Sequence, residues 1–265
     1  MILFFSRKKQ TGGLGILRVL LSAFVTIILC AALILPDASA SAGKGTEDSP
    51  ELSAREKAIL QQYDAEERQN EIVFYGASNF RLWKEMEEDM LPYTVQNHGF
   101  GGSTDQDLLD KAEWLLYPYK PAIVVFQIAS NDYVKFRGTD DQIYRQVIKR
   151  KIKMFETFHR KLPEAYFVVT NGILMPGRSK YAGIVRRVNR RMREFARKND
   201  YLYFADGEGM TVDGKGRFLR KMFVSDGIHL THEARMIWAD EYIKPVLKQV
   251  IDDHPELEYL KKLQE

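Results

Sequence analysis

Short apolar segments alternate with longer helical segments along most of this chain, and this alternation is the strongest constraint on its fold. Five segments rich in β-branched and aromatic residues predict strands, at residues 72–75, 94–96, 122–128, 166–170 and 201–205. The stretches between and after them have helical composition, at residues 79–90, 105–116, 140–162, 179–198 and 231–250. Such alternation predicts a parallel sheet with helices on both faces. We therefore expect one α/β domain with its functional residues beyond the carboxyl ends of the strands.

The N-terminal segment differs from the rest of the chain. Four basic residues precede an uncharged apolar run at residues 19–35, and Pro36 and a small-residue stretch at 38–42 follow it. This order is typical of an export signal. The run of 17 residues lies between the length of a signal-peptide core and that of a membrane span, so cleavage and anchoring both stay open. Two Ala-x-Ala sites favour cleavage.

The resulting division of the chain has three parts. We expect an export signal or membrane anchor at residues 1–42, a linker and N-terminal helix at 43–70, and the folded domain at 71–265. The protein is then exported, and either secreted or kept in the periplasm or cell envelope. Membrane contact is expected only through the N-terminal segment, if that segment is not cleaved.

The excess of basic over acidic residues in the chain lies in this N-terminal segment. Residues 43–265 contain 35 basic and 35 acidic residues, so the folded part is formally neutral and nucleic-acid binding is not expected. The arginine-rich stretch at 185–196 has its apolar residues at helical spacing, which indicates an ordinary surface helix rather than a nucleic-acid patch. Cys30 is the only cysteine and lies in the apolar run, so we expect no disulfide in the exported part.

The first predicted strand leads directly into a candidate nucleophile. Gly76 permits a sharp turn after the strand, and Ser78 falls at the start of the next helix. Free N–H groups and the positive end of the helix dipole stabilise negative charge at such a position. Serine is also a leading helix N-cap, so this segment alone favours a cap.

Three further segments offer the other groups that acyl transfer through a serine requires. A glycine-rich loop at residues 97–104 can aim backbone N–H groups at a negative atom, although a tight turn is an equal alternative. Asn131 follows the third strand, where its side chain is either a turn former or an oxyanion donor. Asp226 precedes His229 by three residues, a spacing that lets the carboxylate orient the imidazole.

The histidines allow other interpretations. Asp226, His229 and His232 together suggest a metal site, but no fourth ligand group stands out and the spacing is not H-E-x-x-H. We therefore expect no metal and no cofactor. The histidines other than His229 are expected to be surface or structural residues, and they are His98, His159, His232 and His254. Of these, His98 borders the proposed crevice.

Taken in order, the blocks resemble the SGNH (GDSL-like) hydrolase superfamily, named for its Ser, Gly, Asn and His. The resemblance runs from about Ile72 to about Leu247. Within that superfamily, the chain also resembles a bacterial subgroup. The subgroup has a YGSSxxRLW opening, an NxGFGGST second block and a DGxHLxxxGYxxW closing block. The fold that it implies is a flavodoxin-like three-layer α/β/α sandwich with a five-stranded parallel sheet.

The resemblance also implies a role for each site residue. Ser78 is the nucleophile, His229 the base and Asp226 its partner. Gly102 and Asn131 are oxyanion donors alongside the Ser78 backbone N–H.

Two residues depart from the family pattern. Ala77 stands where the family has an aspartate, and Ala129 stands where it has a glycine. Neither change removes a catalytic atom. Ala129 adds a methyl group near the crevice, which would narrow the acyl pocket or change how Asn131 is presented.

These expectations combine into an exported, metal-independent serine esterase that hydrolyses short-chain acyl esters of a carbohydrate or a lipid. Arg178 and Tyr181 follow the fourth strand and are candidate substrate-binding residues, with an ordinary loop as the alternative. Two other functions stay open. One is acyl transfer to envelope glycans, and the other is a non-catalytic, membrane-tethered binding domain that keeps the fold.

Overall fold

The computed structural model of the 265-residue chain describes residues 51–128 and 130–261. The predicted export signal or anchor at residues 1–42 lies outside the described residues, and so does Ala129. Within the described residues, no helix is both long enough and apolar enough to cross a membrane.

Five parallel strands form the central sheet, in the order β2-β1-β3-β4-β5. They are β1 (Ile72–Tyr75), β2 (Val95–Asn97), β3 (Ile123–Gln127), β4 (Tyr166–Thr170) and β5 (Leu202–Ala205). The predicted α/β class with a five-stranded parallel sheet is confirmed. Strand order reverses between β1 and β3, the position at which α/β sheets leave a crevice beyond the carboxyl ends of their strands.

Nine α-helices accompany the sheet in the described part of the chain. They are α1 (Ala54–Gln62), α2 (Ser78–Arg81), α3 (Met86–Asp89), α4 (Asp105–Leu115), α5 (Asn131–Lys135), α6 (Asp140–Lys161), α7 (Ala182–Ala196), α8 (His232–Ile237) and α9 (Lys244–Asp253). Several of them differ from the predicted helical stretches. The stretch 79–90 forms the two short helices α2 and α3, while Pro176–Tyr181 forms 3₁₀ turns before α7. A π-helical segment, Trp238–Ile243, separates α8 from α9.

Two apolar layers enclose the sheet, because alternate residues of each buried strand point to opposite faces. On one face, Val73, Val124 and Phe167 pack in a cluster with side chains of α1, α4, α6 and α7. On the other face, Phe74 and Val125 pack in a second cluster with side chains of α3, α8 and α9. The three-layer α/β/α sandwich is thus confirmed.

Helix α1 belongs to this packing. Ser53 and Glu56 form a capping box that begins the helix. Ile59 is fully buried in the first apolar cluster. Arg55 donates from Nη2 to the carbonyl oxygen of Asn97 at 2.9 Å and from Nε to that of Gly99 at 3.1 Å. The helix therefore holds the beginning of the glycine-rich loop that follows β2.

Candidate active site

Ser78 is the first residue of α2 and follows the carboxyl end of β1. The turn between them is held by the buried side chain of Gln127, the last residue of β3. Its Oε1 accepts from the backbone N–H groups of Ala77 at 3.2 Å and Phe80 at 3.4 Å. A polar side chain at the switch point of the sheet therefore fixes the backbone on both sides of the candidate nucleophile.

A hydrogen-bonded chain joins Ser78 to the C-terminal part of the protein. The Oγ of Ser78 lies 2.9 Å from Nε2 of His229. The Nδ1 of the same ring lies 2.6 Å from Oδ2 of Asp226. Buried Asn79 links the same two segments, since its Oδ1 accepts from the backbone N–H of Leu230 at 2.9 Å. The structure therefore brings together a hydroxyl, an imidazole and a carboxylate in the order that serine acyl transfer uses.

Backbone N–H groups in the turn that follows Asp226 keep its side chain ionised. Its Oδ1 accepts from the backbone N–H groups of Ile228 at 2.8 Å and His229 at 3.0 Å. Desolvation raises the pKa of Asp226, but these two hydrogen bonds and the contact with the His229 ring outweigh it and lower the pKa to about 2. The carboxylate therefore stays ionised over the whole range in which an imidazole titrates, and can stabilise a positive ring.

The predicted oxyanion donors lie on neighbouring loop ends. Gly102 has a φ of +75°, a backbone conformation that favours glycine, in the loop before α4. Asn131 begins α5, and its Nδ2 donates to the carbonyl oxygen of Ser103 at 2.8 Å. The backbone N–H of Ser78 belongs to the first turn of α2, where it has no intrahelical partner. The loop before α4 and the start of α5 are thus joined directly by the Asn131 side chain.

The two predicted substrate-binding residues lie beside α5. The Nη1 of Arg178 donates to Oδ1 of Asn131 at 3.1 Å and also to Oγ of Ser130. Burial lowers the pKa of the Arg178 guanidinium. The ring of Tyr181 is half-buried, with its centroid 6.2 Å from that of Tyr133 in α5. Arg178 therefore contacts Asn131, a predicted oxyanion donor, whereas Tyr181 packs near Tyr133 of the same helix.

The remaining histidines face other partners. The Nδ1 of His232 lies 3.6 Å from a carboxylate oxygen of Asp89. The ring of His229 has different partners, Ser78 and Asp226. His98 is fully buried, with Nδ1 2.7 Å from the carbonyl oxygen of Leu115, and burial lowers its pKa to about 3. Within the described residues, no three His, Cys, Asp or Glu side chains form a group suited to a metal ion.

A buried charged cluster lies behind the loops that carry Gly102 and Asn131, and no sequence pattern indicated it. Lys151 of α6 donates from Nζ to both carboxylate oxygens of Asp105, at 2.7 and 2.9 Å. These side chains are 0% and 1% exposed. The backbone N–H of Asp105 donates to Oδ2 of Asp132 at 3.1 Å. These contacts therefore hold the start of α4 against Asp132, the residue after Asn131. Gly102 lies in the loop directly before α4.

Comparisons with known proteins agree with this arrangement. Residues 59–235 match the sequence model of the GDSL-like lipase/acylhydrolase family. A GDSL-like lipase of Bacteroides thetaiotaomicron superposes with a TM-score of 0.55 at 21% identity, covering 74% of this chain and 96% of that chain. A Bacteroides fragilis protein assigned as an acylhydrolase gives 0.60 at 20% identity, with 76% and 100% covered.

A third solved structure has a different printed activity. The C-terminal catalytic domain of a Streptococcus pneumoniae peptidoglycan O-acetyltransferase superposes with a TM-score of 0.50 at 15% identity. The match covers 69% of this chain and 96% of that chain. At these identities the structural matches show a shared fold. A comparison with curated protein sequences gives no significant match.

Proposed function

Because the chain belongs to the GDSL-like lipase/acylhydrolase family, and is thus an SGNH-type hydrolase acting on ester bonds, we propose that it hydrolyses short-chain acyl esters through a covalent intermediate on Ser78. The observation that carries this proposal is the contact of Ser78 Oγ with His229 Nε2 at 2.9 Å, with Asp226 on the other ring nitrogen. A serine hydroxyl needs an adjacent base to become nucleophilic at neutral pH.

The proposed reaction has two halves. His229 takes the Ser78 proton through Nε2 as the hydroxyl oxygen attacks the ester carbonyl, and ionised Asp226 stabilises the resulting imidazolium. The Ser78 and Gly102 N–H groups and the Asn131 amide donate to the oxyanion. His229 then gives its proton to the leaving alcohol. In the second half, water attacks the acyl-enzyme with His229 again as the base, the bond between the acyl group and Ser78 Oγ breaks, and His229 returns the proton to Ser78 as the acid leaves.

The proposed substrate is a short-chain acyl ester of a carbohydrate or lipid, met outside the cytoplasm. Export is proposed from the basic, apolar and small-residue order of residues 1–42, with the segment acting as a membrane anchor if it is not cleaved. Arg178 and Tyr181 remain the proposed substrate contacts, since both lie beside the helix that begins with Asn131.

Acyl transfer to an envelope glycan is the second candidate, favoured by the fold shared with a peptidoglycan O-acetyltransferase domain. The acyl-enzyme would form identically, and a sugar hydroxyl would replace water in the second half. Adding a glycan acceptor at constant ester concentration separates the two. Transfer predicts acylated glycan at the expense of free acid, whereas hydrolysis predicts an unchanged yield of acid.

The test of the proposed function is a chain-length series of nitrophenyl esters with the wild-type chain and Ser78→Ala. We expect hydrolysis to fall by at least about 10³-fold in Ser78→Ala, because binding and the oxyanion donors alone supply only residual catalysis. Ser179→Ala is the matched control, since Ser179 is an exposed serine.

Equal activity of Ser78→Ala and the wild type would remove Ser78 as the nucleophile. If neither chain hydrolyses any ester or reacts with a fluorophosphonate, a non-catalytic binding domain is the better account. The dependence of the hydrolysis rate on acyl chain length also measures the size of the acyl pocket.

A further inference from the structure

The side-chain amide of Asn131 has a fixed partner on each end. Its Nδ2 donates to the carbonyl oxygen of Ser103 at 2.8 Å, and its Oδ1 accepts from Nη1 of Arg178 at 3.1 Å. A carbonyl oxygen can only accept a hydrogen bond, and a guanidinium can only donate one. Rotating the amide by 180° would set oxygen against oxygen and N–H against N–H. The two partners therefore allow one orientation of the amide.

This orientation determines which atom an oxyanion can meet. An amide nitrogen has two hydrogens, and the Ser103 carbonyl takes one of those on Asn131. Arg178 occupies the amide oxygen, so the second Nδ2 hydrogen is the group left to donate. Without Arg178 only the Ser103 contact would hold the amide.

The Arg178 side chain is itself held in place. It donates to Oγ of Ser130 as well as to Asn131, and it is half-buried. The preceding residue, Gly177, donates its N–H to the carbonyl oxygen of Gly227 at 2.9 Å. A side chain at Gly177 would place Cβ 2.6 Å from the carbonyl oxygen of Asp226, so only glycine permits this approach. The loop that carries Gly177 and Arg178 thus contacts both Asn131 and the turn that follows Asp226.

We propose that Arg178 is a positioning residue, which holds the Asn131 amide so that its nitrogen faces the oxyanion. This inference rests on the proposed function, in which Asn131 is an oxyanion donor. It goes beyond a contact between Arg178 and substrate, because the guanidinium acts on the reaction through Asn131. Its removal should therefore lower kcat more than it raises KM.

A double-mutant cycle on a neutral nitrophenyl ester tests the proposal. We expect Asn131→Ala to lower kcat by about 10²–10³. We expect Arg178→Met to lower kcat by about 10- to 100-fold, the equivalent of one charge-assisted hydrogen bond. The kcat of the double variant should be no lower than that of Asn131→Ala, because Arg178 has nothing left to position, and loss of a substrate contact would appear in KM. Arg178→Lys, which keeps a donor, should recover part of the loss.

Two results would overturn the positioning role. One is multiplication of the losses in the double variant, which would mean that Arg178 acts on substrate independently of Asn131. The other is an unchanged kcat in Arg178→Met. Arg190→Met serves as the matched control, since Arg190 is an exposed arginine of α7. Equal thermal unfolding midpoints show that the variants compared are folded.

A readout without turnover keeps this inference separate from the proposed function. The side-chain NH₂ signals of Asn131 can be followed by NMR in wild type and Arg178→Met. We expect distinct, slowly exchanging hydrogens in wild type and faster exchange in the variant. Identical signals would overturn the positioning role even in an active enzyme. Conversely, a wild type with no esterase activity would refute the proposed function while these signals still reported how Arg178 holds the amide.

Discussion

Asp226 uses its two carboxylate oxygens for different partners. Oδ1 accepts two backbone N–H groups, and Oδ2 accepts from Nδ1 of His229. In the neutral ring, the proton therefore lies on Nδ1, and the Nε2 that can accept a proton faces Ser78. Because the carboxylate has a pKa of about 2, below the 3.8 of a free aspartate, its contribution to stability is present above about pH 4 and is lost as the pH falls through about 2.

Replacing this carboxylate by an amide should reverse the tautomer of His229. In Asp226→Asn the single oxygen stays with the two backbone N–H groups, so the NH₂ group faces Nδ1 and the ring proton moves to Nε2. A protonated Nε2 cannot accept the Ser78 proton. We expect kcat for a nitrophenyl ester to fall by about 10⁴. Asp213→Asn is a matched control, because Oδ1 of Asp213 also accepts two backbone N–H groups. An Asp226→Asn enzyme within tenfold of wild type would contradict this tautomer argument.

Sequence patterns predicted the candidate site residues, but not the buried side chain that holds the turn before Ser78. Ser78, Asn131 and His229 each stand near glycines or strand ends, where polar residues are expected to do chemistry. Gln127 is the one polar residue of the predicted strand at 122–128, and the strand pattern does not show what its side chain contacts. Its function depends on the turn after β1, which is 50 residues away in the chain. A contact of that sequence separation leaves no local pattern.

At the scale of elements, α4 and α6 are joined by a buried ion pair rather than by apolar side chains alone. Lys151→Met should lower the free energy of unfolding by about 3–5 kcal/mol, because it leaves the Asp105 carboxylate buried without its partner. The double variant Lys151→Met/Asp105→Leu should recover most of that loss, since a packed apolar pair is often as stable as a buried ion pair. Urea unfolding measures both.

An exposed pair provides the comparison. Arg187 Nη1 lies 2.7 Å from Asp141 Oδ1 between α7 and α6, with side chains 39% and 63% exposed. Arg187→Met should therefore cost less than about 1 kcal/mol. A Lys151→Met loss as small as this would contradict the expected cost of leaving Asp105 buried without its partner.

Helix positions were predicted less well than strands. All five strands lie within one or two residues of their predicted bounds, because a buried strand is a continuous apolar run. The stretch 231–250 reads as one helix, yet a π-helical segment interrupts it before Pro245. Helical composition does not distinguish these hydrogen-bond patterns. The short α5 was not predicted at all, because five residues are too few to show a helical period.

At the scale of the whole molecule, α1 packs as part of the folded unit, although the sequence places it with the linker before residue 71. Ile59 and Tyr63 are buried, and Arg55 holds two carbonyl groups of the loop after β2. A chain beginning at Glu71 should be less stable than one beginning at Glu51 by about 3–6 kcal/mol, the value of two buried apolar side chains.

Urea unfolding midpoints of the two chains check this prediction. Ile59→Ala in the longer chain should account for about 2–5 kcal/mol of the difference. Lys57→Ala on the exposed face of α1 should have little effect. Equal midpoints for the two chains would place the start of the stable domain at residue 71, as the sequence suggested.

The contact between Ser78 and His229 joins residues 151 positions apart. Neither an isolated N-terminal half nor a C-terminal half holds a complete set of reacting groups, and only the assembled sheet edge brings them within hydrogen-bonding distance. If Ser78 is the nucleophile, ester turnover is proportional to the number of correctly folded molecules. A fluorogenic ester would then count native protein in refolding or thermal-inactivation experiments at concentrations too low for spectroscopy.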